Sequence, residues 1–315
     1  MQVVTGPDGL LASNRGTAVT IGAYDGVHLG HLHVLRLLQD MAAARDLQTV
    51  VVTFDRHPAT VVRPESAPLL LTDTEQKLEL LAASGVECTV LLPFDRARAD
   101  ETAEDFVTEV LVDALGARLV VVGRDFHFGH GRKGNVALLT DMGSRFGFET
   151  IGVDLDDADG EPVSSTRIRR LVADGDVGGA ARLLGRPHEV RGVVVRGDGR
   201  GGAELGLPTA NLAVPATIAM PAEGVYAGWY RRPDRSLHPA AVNYGRRPTF
   251  YGEAGQLVLE AHLLSFSGDL YGEEGRMAFV ERLRGERRFD SVASLVDAMR
   301  ADVEQAEAVL RAGAG

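Results

Sequence analysis

The sequence predicts an α/β fold built from two domains, and two observations carry this prediction. In the first 185 residues, β-rich apolar runs alternate with stretches of helical periodicity, which is typical of a parallel sheet with helices on both faces. After Gly185, short β-rich runs follow one another between Gly, Pro and Asp turns, which indicates a β-barrel or a β-sandwich. The length of 315 residues suits two domains of ordinary size.

The first domain, residues 1–185, is expected to hold five strands joined by helices. Residues 31–44 place apolar side chains at helical spacing, and the helix at 74–84 ends where Gly85 follows. The predicted strands are residues 17–21, 49–54, 88–92, 119–123 and 149–153, and the other predicted helices are residues 103–115, 135–146, 166–173 and 177–184.

The second domain, residues 186–315, begins where the letters GRP at 185–187 break the helical pattern. Residues 292–310 form one amphipathic helix that closes it. Its predicted strands are residues 190–195, 225–230, 240–244, 257–264 and 276–283.

Charge and cysteine content bear on the class of protein. The formal net charge of -11 at pH 7 disfavours nucleic acid and anionic lipid as partners. The one cysteine, Cys88, cannot form an intrachain disulfide, and its apolar surroundings predict a packing thiol in a buried strand. We find no signal-peptide pattern and no apolar run long enough to cross a membrane, so we expect a cytoplasmic protein. The oligomeric state stays open.

A glycine-rich loop follows the first predicted strand, with the sequence GAYDGVHLGH at residues 22–31. Its glycines allow tight turns near a phosphate, and the next helix directs its N-terminal N–H groups to the same place. His28 and His31 are three residues apart, so they can face one pocket and donate hydrogen bonds to phosphate oxygens. The alternatives are two surface histidines in a turn, or a zinc pair, for which no third ligand stands out.

A second polar cluster, VSSTRIR at residues 163–169, opens a later helix. Its hydroxyl groups can cap that helix. Arg169 lies one turn after Thr166, on the same face, and can cover the charge of a triphosphate. Taken alone, the cluster is better explained as a capped helix with solvated arginines.

Together these motifs resemble the nucleotidylyltransferase superfamily. More closely, they resemble the FAD synthetase domain of prokaryotic bifunctional riboflavin kinase/FMN adenylyltransferases, which would be a Rossmann-like domain. The similarity runs in order over nearly all of residues 16–185 and departs from many relatives at Ala23 and Tyr24. The matching runs are DGVHLGH at 25–31, TFDRHP at 53–58, VVGRDFHFG at 121–129 and VSSTRIR at 163–169.

The resemblance implies a role for each matching residue. His28 and His31 would hold the ATP phosphates and stabilise the α-phosphoryl group as it is transferred to FMN. Mg²⁺ would arrive with ATP, and no covalent nucleophile would be needed. The residues expected to bind ATP are Gly22, Asp25, Gly30, Ser165, Thr166 and Arg169, and those expected near the flavin are Phe54, Asp125, Phe126 and Phe128. For Phe126 and Phe128, ordinary core packing is an equally good reading.

The second domain contains a glycine-dense loop at residues 192–206, which includes Gly197 and Gly206 and offers backbone N–H groups to a nucleotide. Thr209 and Asn211 are two residues apart, so an extended chain presents both oxygen ligands on one side, as Mg²⁺ requires. Glu260, on a later strand, could accept a hydroxyl proton during phosphoryl transfer, or could be a solvated strand carboxylate.

These features resemble riboflavin kinase over residues 186 to about 305, which implies a β-barrel riboflavin kinase domain with a terminal helix. Thr209 and Asn211 would then hold Mg²⁺ and ATP, Glu260 would be the general base for riboflavin, and Arg284 would lie near the flavin. The similarity departs from many relatives in the loop 201–204 and at Tyr244. The matching runs are LPTAN at 207–211, NYGRRPTF at 243–250, EAHLLSFSGDLYG at 260–272 and FVERLR at 279–284.

The leading hypothesis is therefore a bifunctional enzyme that phosphorylates riboflavin to FMN and adenylylates FMN to FAD, with ATP as co-substrate. Two alternatives remain: an enzyme with only the adenylyltransferase domain active, and a flavin-binding regulator without turnover. A pure binder would not need both a base at Glu260 and a metal pair, which argues against the regulator. A nucleotidylyltransferase for another phosphate would explain the first domain only.

Overall fold

The computed structural model describes residues 1–6, 15–154, 161–197, 207–246 and 257–313, together with the backbone of residues 157–158. The chain forms two compact units, Met1–Ser165 and Thr166–Gly315. The sequence places the domain boundary near Gly185, whereas the contacts assign the helices at 165–184 almost wholly to the second unit. The boundary at 185 stays a prediction.

The first unit is built on a six-stranded parallel sheet with the order β1-β4-β3-β2-β5-β6. Parallel pairing connects every neighbouring pair of strands in it. The strands are β1 (Gln2–Thr5), β2 (Thr17–Ile21), β3 (Gln48–Phe54), β4 (Cys88–Leu92), β5 (Ala117–Gly123) and β6 (Glu149–Val153), and a short antiparallel pair follows them, β7 (Asp157–Ala158) and β8 (Glu161–Pro162).

Helices connect these strands, and every α-helix of this unit except that at Ala59–Val62 begins at a side chain that caps it. Asp73, for example, accepts a hydrogen bond from the backbone N–H of Gln76, and Asn135 accepts one from Leu138. The helices are α1 (Leu29–Ala43), α2 (Ala59–Val62), α3 (Thr74–Ala83), α4 (Arg96–Asp100), α5 (Ala103–Phe106), which continues as the π-helical stretch Val107–Ala114, and α6 (Val136–Phe146), with 3-10 turns at Pro64–Ser66 and His130–Arg132.

Strand order brings the predicted site loops together. β2 lies between β3 and β5, with Ile21 opposite Val52 and Val19 opposite Val120. From β2 the chain adds β3 and then β4 on one side of β2, and it then adds β5 and β6 on the other side of β2. Ligands of such sheets bind where the direction reverses, beyond the carboxyl ends of the strands. The loops after β2, β3 and β5 therefore leave the sheet at one edge, next to one another.

Both faces of this sheet are buried. All five residues of β2 are buried, and successive residues of the central strands belong to different hydrophobic clusters. Val19 and Val120 pack in one cluster, whereas Ala18 and Val121 pack in another. This explains why the central strands read as continuous apolar runs. Cys88 is fully buried in β4, and burial raises the pKa of its thiol, which confirms the predicted packing role.

The second unit contains a closed antiparallel barrel with the order β10-β13-β12-β11-β14-β9. The barrel thus decides between the two architectures that the strand pattern left open. Its elements are α7 (Ser165–Asp174), α8 (Val177–Leu184), β9 (His188–Val195), β10 (Ala210–Ala213), β11 (Gly224–Arg231), β12 (Leu237–Arg246), β13 (Leu257–Leu263), β14 (Glu274–Gly285) and α9 (Val292–Ala312).

Large aromatic side chains fill the barrel, and α9 covers one of its sides. Tyr226 and Phe279 are fully buried and meet edge to face. Small side chains at Ala227 and Ala241 allow Ala306 of α9 to approach the sheet closely. The terminal helix is therefore part of the second core.

The predicted strands and helices are all present, with ends that differ by a few residues. Four described strands were not predicted: β1, β10 and the two-residue pair β7 and β8. β1 contributes only four residues at the edge of the sheet, next to β4. β10 is equally short and includes Asn211, which the sequence presented as a ligand. None of these strands is long enough to show a clear periodicity.

Candidate active sites in the two units

The loop after β2 has an unusual backbone. Tyr24 and Val27 have positive φ angles of 52° and 38°, and Gly26 has one of 82°. Such angles are unfavourable for tyrosine and valine, so contacts must hold the loop in place. Asp25 supplies them, because its carboxylate accepts hydrogen bonds from the backbone N–H groups of Leu71 and Thr72, at 2.9 and 3.2 Å.

His28 and His31 form a reciprocal cap at the start of α1. The Nδ1 of His28 accepts from the backbone N–H of His31 at 3.3 Å, and the Nδ1 of His31 accepts from the N–H of His28 at 3.4 Å. Their rings stack with centroids 3.6 Å apart. Because both Nδ1 atoms accept, the proton of each neutral ring lies on Nε2. The pair therefore offers two Nε2–H donors.

Burial keeps His31 uncharged. His28 is only 3% exposed. Burial, and then the neighbouring His28, lower the pKa of His31 well below its ordinary value. A neutral imidazole still donates through Nε2–H, so His31 can bind a phosphate oxygen by hydrogen bonding without carrying a positive charge.

Gly22 and Gly30 shape this loop by allowing close approach. A Cβ on Gly30 would lie 3.2 Å from the carbonyl oxygen of Val163 and 3.3 Å from the His28 ring. A Cβ on Gly22 would lie 3.1 Å from the ring of Tyr24. Ser165 also braces the loop, because its hydroxyl donates to the carbonyl of Asp25 at 2.9 Å.

Thr166 and Arg169 lie on α7, where the spacing predicted a shared face. The guanidinium Nη2 of Arg169 donates to the hydroxyl of Thr166 at 3.4 Å. Both residues belong to the second unit, so their arrangement is described within α7 alone.

The residues predicted near the flavin follow β3 and β5. Phe54 ends β3 and meets Phe94 edge to face at 5.1 Å between ring centroids. Asp125 is exposed. Phe126 and Phe128 stack at 5.4 Å and are partly buried against the core of the sheet. Both aromatic side chains thus have a packing role, and each keeps a partly exposed surface.

In the barrel, four strand pairings align the predicted kinase residues in one row. Arg284 lies opposite Val225, Val225 opposite Asn243, Asn243 opposite Glu260, and Glu260 opposite Asn211. Residues directly opposite one another in antiparallel strands project to the same face of the sheet. The row crosses five strands and brings the candidate base, a candidate metal ligand and the candidate flavin residue together.

Four of the five residues in this row, all except Asn211, line a cavity of about 250 Å³, which is close to the size range of small-molecule sites. Polar groups on one side of it face the apolar residues of α9 on the other. Its lining includes Thr209, Asn243, Glu260, His262, Arg284 and Glu286, together with Leu295, Met299 and Val303 of α9.

α9 also positions Arg284. The Nε and Nη2 atoms of Arg284 donate to the two carboxylate oxygens of Asp302, at 2.8 and 2.7 Å. The Arg284 and Asp302 side chains are 21% and 11% exposed, so water screens this ion pair only partly. Phe289 lies under the guanidinium at 5.8 Å. Arg284 is therefore fixed at the wall of the cavity.

Thr209 immediately precedes β10 and lines the same cavity. His262 Nδ1 is 2.8 Å from the carbonyl oxygen of Pro208, which secures the chain just before Thr209. Thr209 and Asn211 offer neutral oxygen atoms, the donor type that Mg²⁺ prefers. Within the described ranges, no group of three or more His, Cys, Asp or Glu side chains is arranged to hold a metal ion.

The glycine-dense loop is described only at its start. Gly197 follows β9 and is partly buried, whereas Gly206 and the loop 201–204 lie outside the described residues.

Motif comparison alone gave no role to three residues that border the sites: Lys77, Asn243 and Asp302. No local sequence pattern marks these three residues, because each comes close to the sites only when the chain folds.

Two protein-family models match this chain in tandem. The FAD synthetase family model matches residues 10–167, and the riboflavin kinase model matches residues 184–310. Two bifunctional riboflavin kinase/FMN adenylyltransferases are similar over most of their length. The Pseudomonas fluorescens protein is 38% identical over 98% of each chain, and that of Escherichia coli K12 is 37% identical over 90% of each.

A crystal structure described as a macrolide-efflux protein from Streptococcus pneumoniae is also similar. It has a TM-score of 0.86 and 31% identity, and the match covers 98% of this chain and 99% of the other. No helix in the described part of this chain is long and apolar enough to span a membrane. The two family models in tandem and the curated relatives show that the chain belongs to the bifunctional riboflavin kinase/FMN adenylyltransferase family.

Proposed function

We propose that this chain phosphorylates riboflavin to FMN in its barrel unit and adenylylates FMN to FAD in its parallel-sheet unit, using ATP in both steps. One observation carries the proposal: a single chain holds both the capped histidine pair at the parallel sheet and the cross-strand row around Glu260. Neither arrangement is needed for the stability of an ordinary α/β sheet or barrel, and each supplies groups for one of the two transfers.

In the adenylyl transfer, a phosphate oxygen of FMN attacks the α-phosphorus of ATP. The bond from that phosphorus to the bridging oxygen breaks, and pyrophosphate leaves with the electron pair. Negative charge grows on the phosphate oxygens as this happens, and donors aimed at those oxygens stabilise the transition state. The Nε2–H groups of His28 and His31 supply such donors, and no protein nucleophile takes part.

The other predicted residues of this unit have supporting roles in the proposal. Ser165, Thr166 and Arg169 bind the phosphate or adenine side of ATP, with Arg169 supplying a positive charge. Phe54 ends β3, Asp125, Phe126 and Phe128 follow β5 on the other side of β2, and together they form the flavin side. The partly exposed ring surfaces of Phe126 and Phe128 support this assignment.

In the kinase step, the terminal ribityl hydroxyl of riboflavin attacks the γ-phosphorus of ATP, and ADP leaves. Glu260 accepts the hydroxyl proton as the new oxygen–phosphorus bond forms. Asn243 is next to Glu260 in the row and lines the same cavity, so we assign it to the orientation of the ribityl chain. Arg284 contacts the flavin from the cavity wall.

Thr209 and Asn211 would hold Mg²⁺ together with the ATP phosphates, which complete its oxygen shell. When bound, the ion neutralises phosphate charge. Gly197 begins the loop that would bind the nucleotide through backbone N–H groups. We further propose a cytoplasmic location, because a single free cysteine suits a reducing compartment.

The test is chromatography of the products after the purified protein is incubated with riboflavin, ATP and Mg²⁺. FMN followed by FAD is the expected result. If riboflavin gives no product but supplied FMN gives FAD, only the adenylyltransferase is active. If neither flavin is converted, while the protein binds both, the chain is a flavin-binding regulator and the proposal is wrong.

A further inference from the structure

Lys77 is a buried charged residue that the two reactions described above do not use. It lies on α3 and is only 6% exposed. Its ammonium donates hydrogen bonds to the carbonyl oxygens of Phe54, at 2.7 Å, and of Ala23, at 3.4 Å. Burial of an ammonium group is costly, so its retention needs a reason beyond packing.

The two carbonyl groups belong to the two loops that carry the adenylyltransferase site. Ala23 follows β2 and precedes Tyr24, in the loop that leads to His28. Phe54 ends β3 and lies on the proposed flavin side. Thr53 also donates to the carbonyl of Ala23, at 3.2 Å, so this oxygen receives two donors.

Neighbouring residues of α3 and its cap reinforce the same connection. Thr74 donates to the carbonyl of Asp55 at 2.8 Å. Thr72 accepts from the backbone N–H of Gly26 at 3.1 Å. The first turn of α3 is therefore fastened to both loops, and Lys77 is the one residue in this group that contacts both directly.

Charged side chains close to Lys77 affect the pKa of its ammonium group. Burial lowers its pKa to about 8, an effect that the charges of Asp25 and Asp55 partly offset. Arg56 and His57 line the same water-sized cavity of about 20 Å³, beside Lys77. The carboxylate of Asp25 accepts hydrogen bonds from the backbone N–H groups of Leu71 and Thr72. The carboxylate of Asp55 accepts from the side-chain Nε–H of Arg56 and from the backbone N–H of Phe94. These hydrogen bonds restrict the movement of both carboxylates toward the ammonium.

We propose that Lys77 is a positioning residue for adenylyl transfer: its ammonium fixes the spacing between the loop that carries His28 and the loop that follows Phe54. It contacts neither substrate. The inference rests on the proposed adenylyltransferase function and deepens it. A displacement of about 1 Å between reacting groups can cost about a hundredfold in rate.

Three variants of the full chain test this role. Lys77→Met removes the ammonium and keeps the length of the side chain, Lys77→Arg keeps a positive donor, and Lys133→Met makes the same change at an exposed lysine of the same unit. We expect Lys77→Met to lower kcat/KM for FAD formation from FMN by about a hundredfold. Formation of FMN from riboflavin in the same preparation should be unchanged, and Lys133→Met should resemble the wild type.

The pH profile distinguishes positioning from stability. As pH rises above about 8, Lys77 loses its proton, so FAD formation by the wild type should fall. Over the same pH range, loss of the Lys77 proton has the opposite effect on the stability of the protein. The folded-state pKa lies below the ordinary value of 10.5, so the unfolded chain holds more protons between pH 8 and 10.5 and the free energy of unfolding rises with pH. Lys77→Arg stays charged, so the alkaline decline should move to higher pH.

Provided that the wild type makes FAD, either of two results would overturn the role of Lys77. The first is that Lys77→Met forms FAD with the kcat/KM of the wild type. The second is that FAD formation by Lys77→Arg declines at the same alkaline pH as that of the wild type. If Lys77→Met does not fold, thermal unfolding followed by circular dichroism will show the loss, and the Lys77→Arg profile decides. If the wild type makes no FAD from FMN and ATP, the proposed function fails and the role of Lys77 fails with it.

Discussion

At the scale of single residues, the two histidines act as a unit because the same contacts fix their position and their protonation. Each Nδ1 accepts a hydrogen bond from the backbone N–H of the other residue, so the proton of each neutral ring lies on Nε2. Removal of either ring therefore removes a donor and also loosens the cap that holds its partner. The sequence spacing indicates that the rings can face one pocket, but the tautomers follow from the hydrogen bonds.

We expect His28→Ala to lower FAD formation from FMN at least about a hundredfold, because it removes a transition-state donor and uncaps α1. Formation of FMN from riboflavin should be retained. His33→Ala, on the same helix, is the matched control and should retain both activities. Both products are measured by chromatography in one assay, and normal FAD synthesis by His28→Ala would refute the site assignment.

Glu260 is expected to give the reverse pattern. In Glu260→Gln the side chain keeps its size but cannot accept the proton, so FMN formation should fall about a hundredfold or more. Adenylylation of supplied FMN should continue at the wild-type rate. Glu281→Gln, an exposed change on β14, serves as the control. If Glu260→Gln phosphorylated riboflavin normally, Glu260 would not be the base.

At the scale of elements, the terminal helix contributes to the kinase site as well as to the core. α9 buries Ala306 and Leu310 against the barrel, and the same helix places Asp302 against Arg284. Packing and site geometry are therefore coupled in α9. The first unit uses α3 in a comparable way, because its N-terminal turn holds the loops after β2 and β3.

We expect Asp302→Asn to raise KM for riboflavin roughly tenfold, because loss of one charge-assisted hydrogen bond is worth about 1.5 kcal/mol and frees the guanidinium of Arg284. KM for ATP should change little. Asp297→Asn, an exposed change on the same helix, should leave both constants unaltered. Steady-state kinetics of the kinase step measures them, and equal changes in both would argue against a specific effect on the flavin side.

At the scale of the whole molecule, the division of the chain can be tested through α8. This helix buries Val177, Ala180, Leu183 and Leu184 in the second unit. A barrel that starts at residue 186 would expose the surface that these side chains cover. The sequence boundary and the contact boundary therefore predict different minimal kinase fragments.

We expect the fragment 166–315 to fold with a higher Tm than the fragment 186–315. Burial of these apolar side chains contributes several kcal/mol, which corresponds to a Tm difference of about 10 °C at about 2–4 °C per kcal/mol. Thermal unfolding followed by circular dichroism measures the difference. Equal Tm values with equal riboflavin kinase activity would instead support a domain boundary at 185.

Much of the architecture could be predicted from the sequence, because its signals are local. The β-branched runs at 17–21 and 119–123 are buried on both faces, so they appear as uninterrupted apolar stretches in the sequence. The motifs around His28 and Glu260 were visible for the same reason, since each lies within a few residues of a strand. β10 and β1 were missed because four residues carry too little periodicity.

Local patterns in the sequence were enough to predict the fold class, the order of the two kinds of domain and the residue types available for each transfer. Other features follow from the folded chain alone: the β-rich half closes as a barrel, Arg284, Asn243, Glu260 and Asn211 share a row, and Lys77 joins two loops. The physical reason is that strand register, helix packing and burial of an ammonium depend on residues far apart in the chain, whose proximity no local pattern encodes.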